Sequence, residues 1–186
     1  MPTYQAPLAD TLFVLNDVLG LSRYSNLPGF SEASPDVVEA ILQEGGKFAS
    51  EVFHPLNQVG DREGCKRAED GSVTTPKGFK AAYDQFREAG WGGLSCEAEY
   101  GGQGLPHTLS AAVNEFMSSA NMAFAMYPGL TRGAIAAIQL HGTPEQKQTY
   151  LPKMIEGSWT GTMNLTEPHC GTDLGLLRTR ATPQGD

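Results

Sequence analysis

The sequence has only three cysteines, and they show no pattern that would suggest a shared site. Cys65, Cys96 and Cys170 lie far apart and include no C-x-x-C spacing. Neither a disulfide framework nor a cysteine-based zinc site is well supported by this arrangement. An odd number of scattered cysteines is typical of proteins from a reducing compartment.

Positive charge and long apolar runs are also scarce. The 13 Lys and Arg residues stand against 21 Asp and Glu residues, which gives a net charge of -8. Nucleic-acid binding needs clustered basic side chains, and the densest basic pair, Lys66-Arg67, is soon followed by Glu69-Asp70. No apolar run approaches the ~18 residues that suggest a membrane span, and the first residues do not resemble a signal peptide. We therefore expect a soluble, cytoplasmic protein that binds no nucleic acid and does not span a membrane.

What the sequence does contain is a series of helical patterns. Its 186 residues suffice for one domain, or for one domain and a fragment of another. Apolar residues recur at spacings of three and four, which predicts amphipathic helices. The six stripes lie within residues 8–19, 38–52, 79–86, 109–120, 130–141 and 150–154.

Residues at the ends of these stripes predict where the helices begin and end. Ser34-Pro35 is a typical start, with serine as N-cap and proline in the first turn. Thr143 and Gln146 have the spacing of a capping box. We expect Pro55 to end the second helix, Thr75-Pro76 to open the third, and residues 57–75 to form an exposed connection. The small residues of 129–137 favour a helix that is packed on all sides.

The pattern changes after Gly157. Residues 159–165 are β-prone, with threonine at alternate positions, and we predict a strand there and a second one at 178–181. We therefore predict three segments: an N-terminal extension (1–33), a helical domain (34–157) and the incomplete start of a β domain (158–186).

Four motifs follow one another in an order that resembles the acyl-CoA dehydrogenase family. They are Glu99-Tyr-Gly-Gly-Gln-Gly104, then His141-Gly-Thr-Pro-Glu-Gln-Lys147, then Leu165-Thr-Glu-Pro168 and Gly171-Thr-Asp173. The opening residues, and the run from Thr166 to Arg180, resemble a larger bacterial branch of that family. This branch has an extra N-terminal helical segment and includes 3-methylmercaptopropionyl-CoA dehydrogenases. The resemblance covers nearly all of this chain but only about the first third of a full-length member.

The resemblance implies a mainly α protein: the family's N-terminal helical domain, followed by the truncated start of its middle β domain. The implied activity is FAD-dependent 2,3-dehydrogenation of an acyl-CoA thioester, with hydride transfer to flavin N5. An electron-transfer flavoprotein is the implied electron acceptor, and a homo-oligomer is the implied assembly of the full-length protein.

The resemblance also implies roles for residues of the last motifs. Met163 and Leu165 would meet the flavin ring through their backbones, and the Thr166 hydroxyl would lie near N5. Gly171 and Thr172 would contact the diphosphate, and Thr172 would also lie at the mouth of the substrate cleft. The family's catalytic base would lie beyond Asp186, so no catalytic residue is expected in this chain, and this portion alone is expected to be inactive.

Several residues near these motifs have a simpler structural interpretation. Glu167 precedes Pro168, and a carboxylate there is better placed to cap a turn than to act as a base. Thr172 stands where serine is commoner, which keeps the hydroxyl. His169 and Cys170 stand where small residues are frequent. We favour a role in turn geometry over ligand contact for the histidine, and we expect the cysteine thiol to be inert.

Two alternative functions stay open at this point. The same fold could belong to an acyl-CoA oxidase, which passes electrons to oxygen rather than to a partner flavoprotein. Alternatively, the chain could be a non-catalytic helical scaffold or interaction module that never binds flavin.

Overall fold

A computed structural model describes residues 3–185, and these residues are mainly helical, which confirms the predicted fold class. One short antiparallel hairpin pairs β1 (Lys66–Arg67) with β2 (Val73–Thr74). The α-helices are α1 (Leu8–Phe13), α2 (Pro35–Phe48), α3 (His54–Glu63), α4 (Phe79–Glu88), α5 (His107–Ala120), α6 (Met122–His141) and α7 (Pro144–Glu156). Among residues 3–185, none of the helices combines the length and the hydropathy that a bilayer crossing requires.

The expectation that Pro55 ends the second helix is wrong. A π-helical turn (Ala49–Phe53) follows α2 directly and leads into α3, so the chain stays helical to Glu63. Proline is tolerated in the first turn of a helix, where its missing N–H costs little. The predicted connection at 57–75 is accordingly shorter, and β1 and β2 lie within it. The next helix, α4, begins at Phe79 rather than at Thr75-Pro76.

The helix starts predicted at Ser34 and at Thr143 are confirmed by their capping geometry. The Ser34 hydroxyl accepts from the backbone N–H of Val37 at the start of α2. At the start of α7 the Thr143 hydroxyl accepts from the Gln146 N–H at 3.2 Å, and the Gln146 side chain accepts from the Thr143 N–H at 2.9 Å. These reciprocal bonds satisfy N–H groups that have no acceptor within the helix.

The main core forms where α2, its π-turn, α5 and the first half of α6 meet. Its largest fully buried side chains include Phe53 and Phe116, and Phe53 also packs against Phe124 with the ring centroids 4.2 Å apart. A second, smaller cluster joins α6 and α7 to the loop before α5. Its buried members are Cys96, Tyr100, Ile135, Leu151, Met154 and Ile155.

The N-terminal arm is part of the main core. Tyr4, Ala6, Leu8 and Leu12 are partly buried and pack against it. The arm crosses α2 at Gly46, where an added Cβ would lie 2.9 Å from the Cβ of Ala6. This close approach is possible only because residue 46 has no side chain.

The expectation that residues 129–137 are packed on all sides is wrong for the described structure. One face of α6 is open, and a Cβ added at Gly129 or at Gly133 would meet nothing within 4 Å. Large apolar side chains are exposed along the helix: Met122, Met126, Tyr127, Leu130 and Leu140. Small residues allow close packing, but they do not by themselves say how many faces are covered.

The two strands predicted after Gly157 do not form in the described part of the chain. Residues 159–165 and 178–181 make no ladder, and within residues 3–185 the only pairing beyond the β1–β2 hairpin is an isolated bridge between Glu167 and Cys170. A strand needs a neighbour for its backbone groups. The β-prone sequence of 159–165 finds no such partner within residues 3–185.

Candidate functional site

The segment that follows α7 is fixed against α6 and α7 before it reaches the predicted site. The Gly161 N–H donates to the Thr131 hydroxyl at 3.2 Å. A Cβ at residue 161 would lie 2.6 Å from the Cβ of Ala134, so the backbone touches α6 closely. Trp159 lies over the Lys153 ammonium, with 4.3 Å between the nitrogen and the ring centroid. These contacts fix the position of the backbone just before the loop of residues 163–172.

A two-residue turn then reverses the chain. The N–H of Glu167 donates to the Cys170 carbonyl, and the N–H of Cys170 donates to the Glu167 carbonyl, both at 3.1 Å. Pro168 and His169 occupy the tip. Proline presets the backbone for such a turn, which explains why the β-prone segment stops here.

The Glu167 carboxylate holds this turn against a later part of the chain. It accepts from the backbone N–H groups of Arg178 and Thr179 and from the Thr179 hydroxyl, the last at 2.6 Å. The Thr179 hydroxyl, followed by the two backbone N–H groups, lowers the pKa of the Glu167 carboxyl below its ordinary value. Hydrogen bonds to a carboxylate favour its charged form. The interpretation of Glu167 as a structural cap is thus confirmed.

The five residues with predicted cofactor roles all lie on the exposed side of this loop. Met163 is 65% exposed and Leu165 is 44% exposed, and Thr166, Gly171 and Thr172 are exposed as well. Among residues 3–185, their backbone N–H groups donate to no protein acceptor. The loop therefore presents free donors, two apolar side chains and two hydroxyls on consecutive stretches of backbone.

The turn brings Thr166 and Gly171 close together. A Cβ built at Gly171 would have the Thr166 methyl as its nearest neighbour, at 3.7 Å, which is an ordinary van der Waals contact. Gly171 has no positive φ. The fold itself would therefore accept a side chain at residue 171, and the space beside it is open.

Sequence reasoning missed the residues that position this loop. Thr131 holds Gly161 from 30 residues away, and Thr179 holds Glu167 from 12 residues away. The sequence motifs gave neither threonine a role. Their partners are set by tertiary packing, which leaves no local signal in the sequence.

A second feature that the sequence did not reveal is the open apolar face of α6. The 159–161 segment crosses this helix between Leu130 and Ala134. Exposed Leu130, Met126 and Met122 continue the face toward the start of the helix. Contiguous apolar surface of this kind marks a place where a ligand or another part of a protein is bound.

Comparisons with known proteins identify relatives of this chain. The family model for the acyl-CoA dehydrogenase N-terminal domain matches residues 36–158. A 3-methylmercaptopropionyl-CoA dehydrogenase of Ruegeria pomeroyi is 46% identical over 184 residues, which are 99% of this chain and 31% of that protein. The chain thus spans less than a third of the length of this curated relative.

Solved structures show the same fold. An acyl-CoA dehydrogenase of Bacillus anthracis, solved in complex with FAD, is similar with a TM-score of 0.59 and 27% identity, over 77% of this chain and 23% of that one. A structure from a study of the electron transferring flavoprotein of Acidaminococcus fermentans gives a TM-score of 0.64 and 28% identity, over 80% of this chain and 36% of that one.

Proposed function

The chain belongs to the acyl-CoA dehydrogenase family, and we propose that it is the N-terminal part of an FAD-dependent enzyme that introduces a 2,3 double bond into an acyl-CoA thioester. The observation that carries this proposal is the loop of residues 163–172. It is held in place by distant contacts, yet its own backbone donors and hydroxyls are free.

The residues of the loop fit a flavin. Free backbone N–H groups at Met163 and Leu165 can donate to the carbonyl and nitrogen acceptors of a flat heterocycle. Free N–H groups at Gly171 and Thr172, together with the Thr172 hydroxyl, suit the oxygen atoms of a diphosphate. Exposed apolar side chains at Met163 and Leu165 would be buried by such a ligand. When bound, the flavin supplies the redox chemistry, which none of the amino-acid side chains can provide.

This chain's own residues would orient the cofactor and exclude water from it. We propose that the Thr166 hydroxyl donates toward flavin N5, and that Thr172 lies at the mouth of the substrate cleft. Glu167 is unsuited to accept the substrate α-proton because three donors already engage its carboxylate. We propose that the base lies beyond Asp186 and that residues 158–186 begin the middle β domain. Residues 34–157 would then be the N-terminal helical domain, and residues 1–33 the extension.

The test uses the complete protein and measures FAD binding and flavin reduction by an acyl-CoA. Gly171→Ala is the informative variant because its Cβ fits the fold at 3.7 Å from Thr166. We expect weaker FAD binding without a change in the midpoint of unfolding of the apoprotein. The matched control is Gly133→Ala, which lies outside the loop and whose Cβ would meet nothing within 4 Å. Equal FAD affinity in both variants would contradict the assignment of Gly171.

Thr166→Val removes one hydroxyl and nearly conserves volume. We expect a perturbed flavin spectrum and a slower reductive half-reaction at unchanged FAD content. A wild-type rate of flavin reduction in this variant would contradict the proposed contact between the Thr166 hydroxyl and N5.

The same preparation separates the alternative functions. A colourless complete protein that does not take up FAD would indicate a helical scaffold. If the reduced flavin is reoxidised rapidly by oxygen, the enzyme is an oxidase; if it is stable in oxygen, the proposed electron-transfer flavoprotein is the acceptor. Cytoplasmic location and homo-oligomeric assembly stay predictions.

A further inference from the structure

A second group of residues in the same turn has chemistry that the flavin proposal does not use. Glu167, His169 and Cys170 each place one potential ligand atom so that the three atoms lie within 4.8 Å of one another. Nε2 of His169 is 3.4 Å from Oε2 of Glu167. Cys170 is only 7% exposed and forms no disulfide among the described residues.

The turn holds these three side chains on a rigid frame. The two backbone hydrogen bonds between Glu167 and Cys170 fix the ends of the frame. Thr179 donates to Oε1 of Glu167 through its N–H and its hydroxyl, and the Arg178 N–H donates to Oε2 at 3.1 Å. A carboxylate oxygen has two lone pairs, so Oε2, which lies 3.4 Å from Nε2 of His169, keeps one for a metal ion. Ligand carboxylates in metal sites are commonly oriented by such neighbouring donors.

The histidine ring is held in a similar way. Its Nε2 lies 3.0 Å from the Leu176 carbonyl. The bond to Leu176 thus limits the orientations that the ring can adopt beside Cys170. Because Nε2 is also the nitrogen that lies 3.4 Å from Glu167, a metal bound through Nε2 replaces the contact with Leu176, and the ring proton moves to Nδ1.

The mixture of ligand atoms indicates which ions would bind. Thiolate and imidazole ligands suit zinc and similar transition metals, whereas Mg²⁺ and Ca²⁺ prefer oxygen ligands alone. Zinc with ligands at about 2.0–2.3 Å brings them about 3.3–3.6 Å apart. The present separations, at most 4.8 Å, would need to shorten by about 1 Å, which side-chain rotation in a partly exposed turn allows.

We propose that Glu167, His169 and Cys170 form a binding site for a divalent ion of the zinc class, with water as the fourth ligand. Binding deprotonates the Cys170 thiol and releases one proton to solvent. The site does not depend on the proposed flavin, because none of its three ligand atoms belongs to residues 163, 165, 166, 171 or 172. The proposal differs from the expectation drawn from the cysteine spacing, which considered zinc sites made of several cysteines. Here a single cysteine would bind the ion together with a histidine and a carboxylate that the turn places beside it.

The test is metal titration of the reduced, flavin-free chain. Zn²⁺ binding is measured by competition with a chromophoric chelator, and Co²⁺ is used as a spectroscopic substitute. We expect one equivalent of metal per chain, and a thiolate-to-cobalt charge-transfer band that an excess of Mg²⁺ does not displace.

Variants then identify the ligands. Cys170→Ser should abolish the charge-transfer band, and His169→Gln should weaken zinc binding by at least about tenfold. Thr179→Val should weaken it by about 10–100-fold because it frees the carboxylate. Cys65→Ser and His141→Gln are matched controls from exposed positions outside the turn, and both should bind zinc like the parent chain.

Three results would overturn the proposal. One is the absence of the charge-transfer band in the parent chain. Another is zinc affinity in Cys170→Ser and His169→Gln equal to that of the parent. The third is loss of binding in Cys65→Ser, which would place the metal elsewhere. Circular dichroism and the thermal midpoint of each variant show whether a loss of binding reflects unfolding instead. In that case the release of one proton for each zinc ion that the parent chain binds decides, and its absence counts against the site.

Discussion

The side-chain amide of Asn121 donates a hydrogen bond to the backbone carbonyl of Phe53 at 3.1 Å. The same side chain caps α6, because its oxygen accepts from the Phe124 N–H at 3.1 Å. Asn121 is only 1% exposed. One buried amide therefore joins the π-turn after α2 to the first turn of α6, and it satisfies a polar group at each end.

We expect Asn121→Ala to be among the most destabilising single changes. Loss of the cap costs about 0.5–2 kcal/mol, and the unsatisfied Phe53 carbonyl costs about 1–3 kcal/mol. The free energy of unfolding, measured by urea denaturation, should therefore fall by about 1.5–5 kcal/mol. Asn57→Ala, on the exposed side of α3, is the matched control and should change stability little. A loss below about 0.5 kcal/mol at residue 121 would show that the amide is not essential.

The capping box of α7 gives a smaller and more local effect. Thr143→Ala removes the acceptor for the Gln146 N–H, and the expected cost is about 1 kcal/mol. For a chain of this size that corresponds to about 2–4 °C in the thermal midpoint. Thr143→Ser keeps the hydroxyl and should behave like the parent chain. If serine and alanine are equally destabilising, the methyl group of Thr143 is responsible rather than the hydroxyl.

Gly161→Ala should detach the segment that leads to the candidate flavin loop. The added Cβ would lie 2.6 Å from the Cβ of Ala134, which is too close for either backbone to keep its place. Overpacking of this kind costs about 1–3 kcal/mol. We expect altered fluorescence from Trp159 and faster hydrogen exchange at the Gly161 amide.

Gly133→Ala is the control for that variant, since its Cβ meets nothing within 4 Å. Alanine is favoured over glycine in a helix by about 0.8–1.0 kcal/mol, so this change should stabilise α6. An unchanged Trp159 signal in Gly161→Ala would mean that the segment is not held by its contact with α6.

The three cysteines should differ strongly in their reactivity with alkylating reagents. Cys65 is exposed, while Cys96 and Cys170 are buried. Burial also raises the pKa of the Cys96 thiol, which lowers the fraction of the reactive thiolate. We expect mass spectrometry to find rapid labelling at Cys65 in the native chain, and labelling of all three only in denaturant. Fast native labelling at Cys96 would contradict the packing of the second cluster.

Local signals explain what the sequence predicted well. The N-cap at Ser34 and the capping box at Thr143 depend on residues three positions apart, and both form as expected. Gly20 also takes the left-handed conformation, with φ of 60°, immediately after the first helical stretch. Such features are decided by a few neighbouring residues, so a pattern in the sequence is enough to find them.

The predictions that were wrong concern contacts with distant parts of the chain. We predicted a strand at 159–165 from its β-prone sequence. A strand also requires a partner, and the described residues do not supply one. The bond between Asn121 and Phe53 spans 68 positions, and the one between Gly161 and Thr131 spans 30. The candidate loop could be located from its motifs, but the residues that hold it could not.

The absence of a side chain at Gly46 also limits which residues related proteins can have at the corresponding position. Because Ala6 occupies the space that a methyl group would need, residue 46 can become alanine only if the N-terminal arm takes another route. A relative with a larger residue at the corresponding position must therefore carry its leading segment elsewhere, or have none. Deleting the arm should also make alanine acceptable in this buried part of α2. The residue at position 46 therefore indicates whether the N-terminal arm packs against α2.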